Sequence, residues 1–271
     1  MIKFPNCKIN LGLNILARKK DGFHDIETIF FPVNIHDALE ILPSKNNTAK
    51  LTVTGILPAK NEDNICLKAY SLLKKDFPQL PGLTIHLHKA IPLGAGLGGG
   101  SADAVSTLQL INDKFNLNIA YSQLFGYALK LGSDCPFFLM NRPCFATGRG
   151  EIMEAVDVSF SGYKLIIINP GISISTAEAF KSITPLIPSK RIREIIIQHV
   201  DTWKEDLVND FEKPIFKKYP LVKNIKDEMY DKGAVYASMS GSGSTVYGIF
   251  KNGSISFTAP PGYFYKIIEF P

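Results

Sequence analysis

The chain is short of the residues that several chemistries require. Cysteine occurs four times in 271 residues, at Cys7, Cys66, Cys135 and Cys144. None forms C-x-x-C and none has metal-ligand spacing, which sets aside zinc ribbons and dithiol redox sites. They read as buried, reduced thiols of a cytoplasmic protein. No apolar run approaches the length of a membrane span, and Met1-Ile2-Lys3-Phe4-Pro5 leads into a strand pattern without the features of a signal peptide. Charge of one sign is scarce as well. Thirty Lys+Arg against 25 Asp+Glu leave a formal net charge of +5, dispersed in pairs such as Lys19-Lys20, Lys74-Lys75 and Lys217-Lys218. A nucleic-acid binder would carry a denser basic stripe, so small anionic molecules are the expected partners. Nucleic acid and membrane are not, and the chain is expected as a monomer or weak homodimer. There is no internal repeat and no low-complexity tract.

Glycine is what the chain does supply, and in one place. Pro92-Leu93-Gly94-Ala95-Gly96-Leu97-Gly98-Gly99-Gly100-Ser101 holds five glycines within seven residues. A strand pattern, Leu83 to His88, precedes it and a helical pattern follows. Glycine permits positive φ and close approach of the backbone to a ligand, and the N-terminus of the next helix adds unpaired N–H groups and a positive dipole end. That construction cradles a polyphosphate. Gly94, Gly96 and Gly99 have G-x-G-x-x-G spacing, but a dinucleotide fold needs an acid about 20 residues on. Asp113 comes too early, and Asn116 and Asn118 are not acidic. A P-loop needs Gly-Lys-Ser/Thr, and here no lysine lies in the loop. The loop therefore binds phosphate by a third design.

Residues 7–15 alternate, with Cys7, Ile9, Leu11, Leu13 and Ile15 apolar and Lys8, Asn10, Gly12 and Asn14 between them, which predicts a half-buried strand. Asp21-Gly22 predicts a turn. Strands are expected at 27–33, 39–42, 51–54, 83–88, 163–169, 245–250 and 262–270. Helices are expected from Asn64 to about Phe77, after the loop with Ser101 as N-cap, and from a Ser122 cap to the stop at Gly132. Weaker helical patterns lie at 176–182, 191–200 and 220–232. The first half reads as a mostly antiparallel sheet with crossing helices. The polar stretch 148–161 predicts a boundary, dividing the chain into 1–155 and 156–271.

Lys8 shares a strand face with Asn10 and Asn14, which suits a polar cleft. Asp134 follows the helix stop in Leu131-Gly132-Ser133-Asp134-Cys135-Pro136 and precedes an apolar run, Phe137 to Met140, that reads as a buried strand. An aspartate there is able to accept or orient a hydroxyl proton. With the glycine loop, these two residues make the parts of a phosphoryl-transfer site. Gly241-Ser242-Gly243-Ser244 is a second glycine turn and does not match the G-x-S-x-G nucleophile elbow. Phe23-His24 reads as a hairpin turn that also has the chemistry to stack on and hydrogen-bond a base. His86 and His88 share a strand face without a third metal ligand.

These segments resemble the GHMP kinases. Lys8-Ile9-Asn10-Leu11 is similar to the first motif of that family, Pro92 through Ala104 to the second, and Ser240 through Thr245 to the third, in the family's order. Asp21-Gly22-Phe23-His24, Glu27-Thr28, Leu131 through Phe138 and Asn209-Asp210-Phe211-Glu212 are similar to the branch whose substrate is a cytidine-diphosphate-linked polyol. The resemblance implies an α+β, two-domain GHMP kinase fold, with an N-terminal domain like ribosomal protein S5 domain 2 and a C-terminal α/β sandwich. It implies ATP as co-substrate and Mg²⁺. Lys8 and Asp134 match the catalytic pair, and Asn10 a substrate-positioning residue. Phe23 and His24 match base contacts, with Phe180 closing on the base from the other side. Pro92, Gly94 and Gly96, Leu97, Gly98, Gly99, Gly100 and Ser101 match the ATP loop, with Ser101 a candidate Mg²⁺ ligand. Gly241 and Ser242 match a turn near substrate and phosphates. Phe23 stands where many members have tyrosine, which keeps the ring and drops a hydroxyl. Within the same fold the resemblance leaves open a kinase of a smaller alcohol, of homoserine or mevalonate type, or a non-catalytic ligand sensor.

Overall fold

Leu83, Ile85 and Leu87 alternate with Thr84, His86 and His88, so a strand through them buries one face and leaves both histidines outside. In the computed structural model, which describes residues 1–56, 64–253 and 257–270, that strand lies inside a four-stranded sheet. Ile2–Lys3 (β1), Ala38–Ser44 (β4), Gly82–Lys89 (β6) and Lys50–Gly55 (β5) stand side by side in that order. β4 pairs antiparallel with both β1 and β6, whereas β5 runs parallel to β6. Three helices complete this layer: Ile65–Asp76 (α1), Gly99–Lys114 (α2) and Tyr121–Leu131 (α3). Asn64 caps α1 by accepting from the Cys66 N–H at 2.9 Å. α2 packs on β4 and on α1, and Ala104, Val105, Leu108 and Ile111 of α2, Leu39 and Ile41 of β4, and Ala69 and Leu73 of α1 are all buried. These elements form one compact unit, made of Met1–Lys8, Pro32–Leu93 and Gly98–Asn141.

Three local features differ from what the sequence pattern predicts. Gly98, not Ser101, is the N-cap of α2. It is left-handed (φ +69°), and its carbonyl already accepts the Ala102 N–H at 3.0 Å. α3 starts from Ala120, not Ser122, because the Ala120 carbonyl accepts the N–H of Gln123 and of Leu124 while the Gln123 side chain accepts the Ala120 N–H. The apolar run after Asp134 is a short helix, Phe137–Met140 (α4), not a strand. Pro136 before it is fixed near helical φ, and left-handed Asn141 ends it after one turn. A four-residue apolar run does not itself distinguish the two periodicities.

The other unit comprises Ile9–Phe31, Gly94–Leu97 and Arg142–Pro271. The long strands Asn6–Arg18 (β2) and His24–His36 (β3) join Cys144–Gly148 (β7) and Ile152–Ala155 (β8) in a sheet of that order, in which β7 pairs antiparallel with both β3 and β8. The turn between β2 and β3 falls at Asp21-Gly22, as expected, with the Asp21 carboxylate accepting the Phe23 N–H at 3.0 Å. β2 is buried on both faces rather than half-buried, because its polar residues have partners indoors. Asn10 Nδ2, for example, donates to Thr28 Oγ1 at 3.0 Å.

A third sheet takes Tyr163–Asn169 (β9), Tyr236–Met239 (β10), Val246–Lys251 (β11) and Phe264–Glu269 (β12) in the order β10-β11-β9-β12, antiparallel throughout. The short helices Thr176–Lys181 (α5), Ile192–Ile196 (α6) and Trp203–Asp206 (α7) and the longer Glu212–Lys218 (α8) and Pro220–Asp231 (α9) complete the unit. Val222, Ile225 and Met229 of α9 join Ile166 and Ile168 of β9 in its core. Among the described residues, no helix is long and apolar enough to cross a membrane.

Glu27 is fully buried on β3. It accepts from Arg191 Nε at 2.7 Å and from the Ile192 N–H at 3.1 Å. Removing the guanidinium leaves a buried carboxylate facing one amide. Arg191 is itself 42% exposed, which lets water cover part of the loss. Arg191→Ala is expected to lower unfolding free energy by about 2–3 kcal/mol in a denaturant titration, and Glu27→Gln in the same chain should restore more than half of it.

Candidate active site

In the first unit, the opening of β2 carries Lys8 indoors, 3% exposed, and the α3–α4 turn carries Asp134 opposite it. Lys8 Nζ lies 3.3 Å from Asp134 Oδ2, and the Asp134 side chain keeps 38% of its surface open. Gly98 stands directly against the lysine stem. A Cβ there would lie 3.2 Å from Lys8 Cε and 3.0 Å from Phe138 Cζ. The fold thus places the lysine, the aspartate and the start of α2 in one cluster. No side chain caps α2, so the first-turn N–H groups of Gly99, Gly100 and Ser101 are left to an external acceptor. That acceptor is favoured if it is anionic, because the helix presents its positive end there. Burial pushes the thiols of Cys7, Cys66, Cys135 and Cys144 up to about 12, so none is a thiolate nucleophile near neutral pH.

The second unit holds the first half of the glycine loop against the second glycine turn. Ser240 Oγ donates to the Gly96 carbonyl at 2.8 Å and accepts the Asn10 N–H at 3.2 Å. The Thr245 N–H donates to the Ala95 carbonyl at 3.3 Å. A Cβ on Gly96 would lie 2.0 Å from the Ser240 carbonyl oxygen, and φ there is +78°. The turn is fixed in its own right. Asn209 Nδ2 donates to the carbonyls of Met239 at 2.7 Å and Gly241 at 2.9 Å. Ser242 Oγ shares a hydrogen bond with Thr176 Oγ1 at 3.1 Å. Asn209 is placed by β2: the Leu13 N–H donates to the Val208 carbonyl and the Asp210 N–H to the Leu13 carbonyl, both at 2.8 Å. Tyr247 completes the set by donating to the Asn10 carbonyl at 2.7 Å.

Phe23 and His24 point to different neighbours. Phe23 is 48% exposed, with the Arg149 guanidinium 4.5 Å from its ring centroid. His24 stacks on Phe180 at 4.8 Å and 17°. Phe180 in turn meets Phe211 edge-on at 4.9 Å. Phe180 therefore covers His24 itself. Burial, and after it the Arg18 cation, lowers the His24 pKa from its ordinary 6.5.

The model for the GHMP kinases N terminal domain matches residues 64–142, and that for the GHMP kinases C terminal region matches residues 192–255. A 4-diphosphocytidyl-2-C-methyl-D-erythritol kinase of Bacteroides fragilis is 49% identical over 253 residues, 92% of each chain. The chain belongs to the GHMP kinases. Among solved structures of this family's fold, that of a 4-(cytidine 5′-diphospho)-2C-methyl-D-erythritol kinase is similar with a TM-score of 0.77 at 30% identity, covering 92% of this chain and 89% of that one. The mevalonate kinase of Methanococcus jannaschii is similar in fold, with a TM-score of 0.64 at 16% identity over 93% of this chain and 90% of that one. ATP is the co-substrate of the GHMP kinase reaction.

The loop, Lys8, Asp134 and Asn10 stand out in the sequence, whereas the groups that hold them do not. Ser240, Thr28 and Asn209 each stood within a family-like segment, but only their contacts reveal work at the site. The position directly before Gly241 is the available signal for Ser240, whereas Asn209 has no glycine beside it and meets the turn only in space. Nothing local marked Thr176. His86 and His88 remain an exposed pair, with His88 bonded to Thr54 Oγ1 at 3.0 Å. Among the described residues, no three His, Cys, Asp or Glu side chains gather as a metal site.

Gly96→Ala combines positive φ with a collision against backbone. It is expected to lower kcat/KM for ATP at least about tenfold in steady-state assays. An unchanged value would show that the loop functions away from Ser240.

Proposed function

We infer that this GHMP kinase transfers the γ-phosphoryl group of ATP to the 2-hydroxyl of 4-diphosphocytidyl-2-C-methyl-D-erythritol, a step of non-mevalonate isoprenoid precursor synthesis. The supporting observation within the molecule is the Lys8–Asp134 pair, 3.3 Å apart and set against Gly98 at the uncapped start of α2. The named relatives, similar over nearly the whole chain, support the substrate.

In this reading the α2 N-terminus and residues 92–101 take the ATP phosphates. Asp134, partly open, accepts or orients the proton of the attacking hydroxyl. The bond from that oxygen to the γ-phosphorus forms as the bond to the ADP oxygen breaks. Lys8, held indoors, faces the charge that develops on the transferring group. One carboxylate and one lysine suffice, because phosphoryl transfer depends mainly on position and charge stabilisation. Mg²⁺ brought in with ATP would find the Ser101 hydroxyl, in the first turn of α2, as its protein ligand. The chemistry it would supply there is neutralisation of phosphate charge. Asn10, Gly241 and Ser242 position substrate, and Phe23, His24 and Phe180 recognise the cytosine.

Purified protein with ATP and Mg²⁺ should turn over the cytidyl substrate and not homoserine, mevalonate or galactose. Turnover of one of those instead would discard the cytosine assignment and keep the chemistry. ATP binding without any turnover would favour a sensor. Asp134→Asn should lower kcat by about 10²–10⁴-fold, and full activity in that variant would remove Asp134 from the role.

Because the His24 pKa is lowered from 6.5, its ring is neutral at pH 7 and above and gains a proton only on the acid side of 6.5. KM for the cytidyl substrate is expected to stay flat from pH 8 to 6.5 and to rise below that. His24→Ala should raise it at every pH and remove the acid rise, with KM for ATP little affected. An acid rise that survives in His24→Ala would assign it to another group.

A further inference from the structure

Three buried charges lie where the glycine loop begins and ends, and the phosphoryl transfer described above uses none of them. Asp37, Lys89 and Asp103 are 1%, 2% and 2% exposed. Lys89 Nζ donates to Asp37 Oδ2, and to Asp103 Oδ2 at 2.7 Å. The other oxygen of Asp37 accepts the N–H groups of Ala90 at 2.6 Å and Ile91 at 2.9 Å, the two residues before Pro92. Asp103 stands on α2, five residues past Gly98. Its second oxygen is the one buried side-chain oxygen or nitrogen among the described residues without a hydrogen-bond partner. The two ends touch. A Cβ on Gly99 would lie 2.9 Å from Ile91 Cγ2 and 3.3 Å from Lys89 Nζ.

Two carboxylates on one buried ammonium are a poor device for stability, since desolvation offsets most of what the ion pairs gain. As a device for geometry they are effective. One aspartate holds the backbone entering the loop, the other belongs to the helix leaving it, and a single lysine joins them. Between these points Gly94, Gly96 and Gly98 take positive φ, and glycine backbone loses more freedom on ordering than any other. A loop whose ends are already joined meets its ligand with less left to order.

We propose that Asp37, Lys89 and Asp103 form a clamp that sets the mouth of the ATP loop, and that Asp103 and Lys89 are positioning residues for ATP. This rests on the reading of residues 92–101 as the ATP site. Asp103→Asn preserves shape and weakens the bond to Lys89. In the full-length enzyme it should raise KM for ATP about five- to tenfold while KM for the cytidyl substrate and kcat stay within about twofold. An equal rise in both KM values, or no change in either, would overturn the clamp.

Hydrogen exchange of the wild-type chain is the second measurement, and it stands even where Asp103→Asn does not fold. The amides of Ala90 and Ile91 should be protected before nucleotide is added. Free exchange there that slows only with a non-hydrolysable ATP analogue would overturn the proposal. The analogue should also protect residues 92–101. If it does and Asp103→Asn leaves KM for ATP unchanged, the clamp is wrong and the ATP site stands. If it protects none of them, the site reading fails and the clamp falls with it.

Discussion

The left-handed backbone of the glycine loop is the constraint that its surroundings answer to. At Gly96 the chain comes so close to the Ser240 carbonyl that any side chain would collide, and at Gly98 it presses on the stem of Lys8. Positive φ at both positions makes glycine the residue that fits without strain. The consequence at Gly98 is chemical. A left-handed cap without a side chain starts α2 with its amides uncapped, which a serine or aspartate N-cap would have satisfied from within. The site is open to an anion because the helix lacks the cap that most helices have.

Polar groups held indoors are costly. Lys8, Asn10, Asn14, Asn209, Ser240, Asp37, Lys89 and Asp103 are all buried. Such groups are tolerated when they are bonded, and most of these bond to backbone or to one another in ways that fix a turn. Ser240 is both donor and acceptor. Asn209 spans two carbonyls with one amide nitrogen. Asp37 takes two successive N–H groups on one oxygen. Each bond contributes on the order of 1 kcal/mol. Their shared effect is to leave the glycine segments, the least rigid backbone in the chain, with few conformations.

Much of this was legible in advance, because some signals are local. The alternation at 83–88 and the periodicity after the loop reflect which face of an element meets the core, and both elements are where the pattern put them. The same alternation at 7–15 predicts one buried face, whereas the strand is buried on both. Sequence shows that Lys8 and Asn10 are polar, but Asp134 lies far along the chain from Lys8, and Thr28 meets Asn10 only once the next strand has folded back. Helix starts were off by three and two residues, since a serine near a helix start is only a candidate cap. The bond that Gln123 makes back to Ala120 decides the matter at α3.

By itself the sequence determined where the glycine-rich loop stands, that a lysine and an aspartate offer side chains of the kind phosphoryl transfer uses, and that the motifs stand in the order of the GHMP kinases. Those properties reside in residue type and spacing, which the chain carries whether folded or not. Only the tertiary structure decided that Lys8 meets Asp134, that Phe180 stacks on His24, and that Asp37, Lys89 and Asp103 share one buried cluster. The physical reason is range. Helix periodicity, strand alternation and turn chemistry act over a few residues, whereas a buried charge finds its partner only after sheets and helices have excluded water and brought distant segments within hydrogen-bond distance.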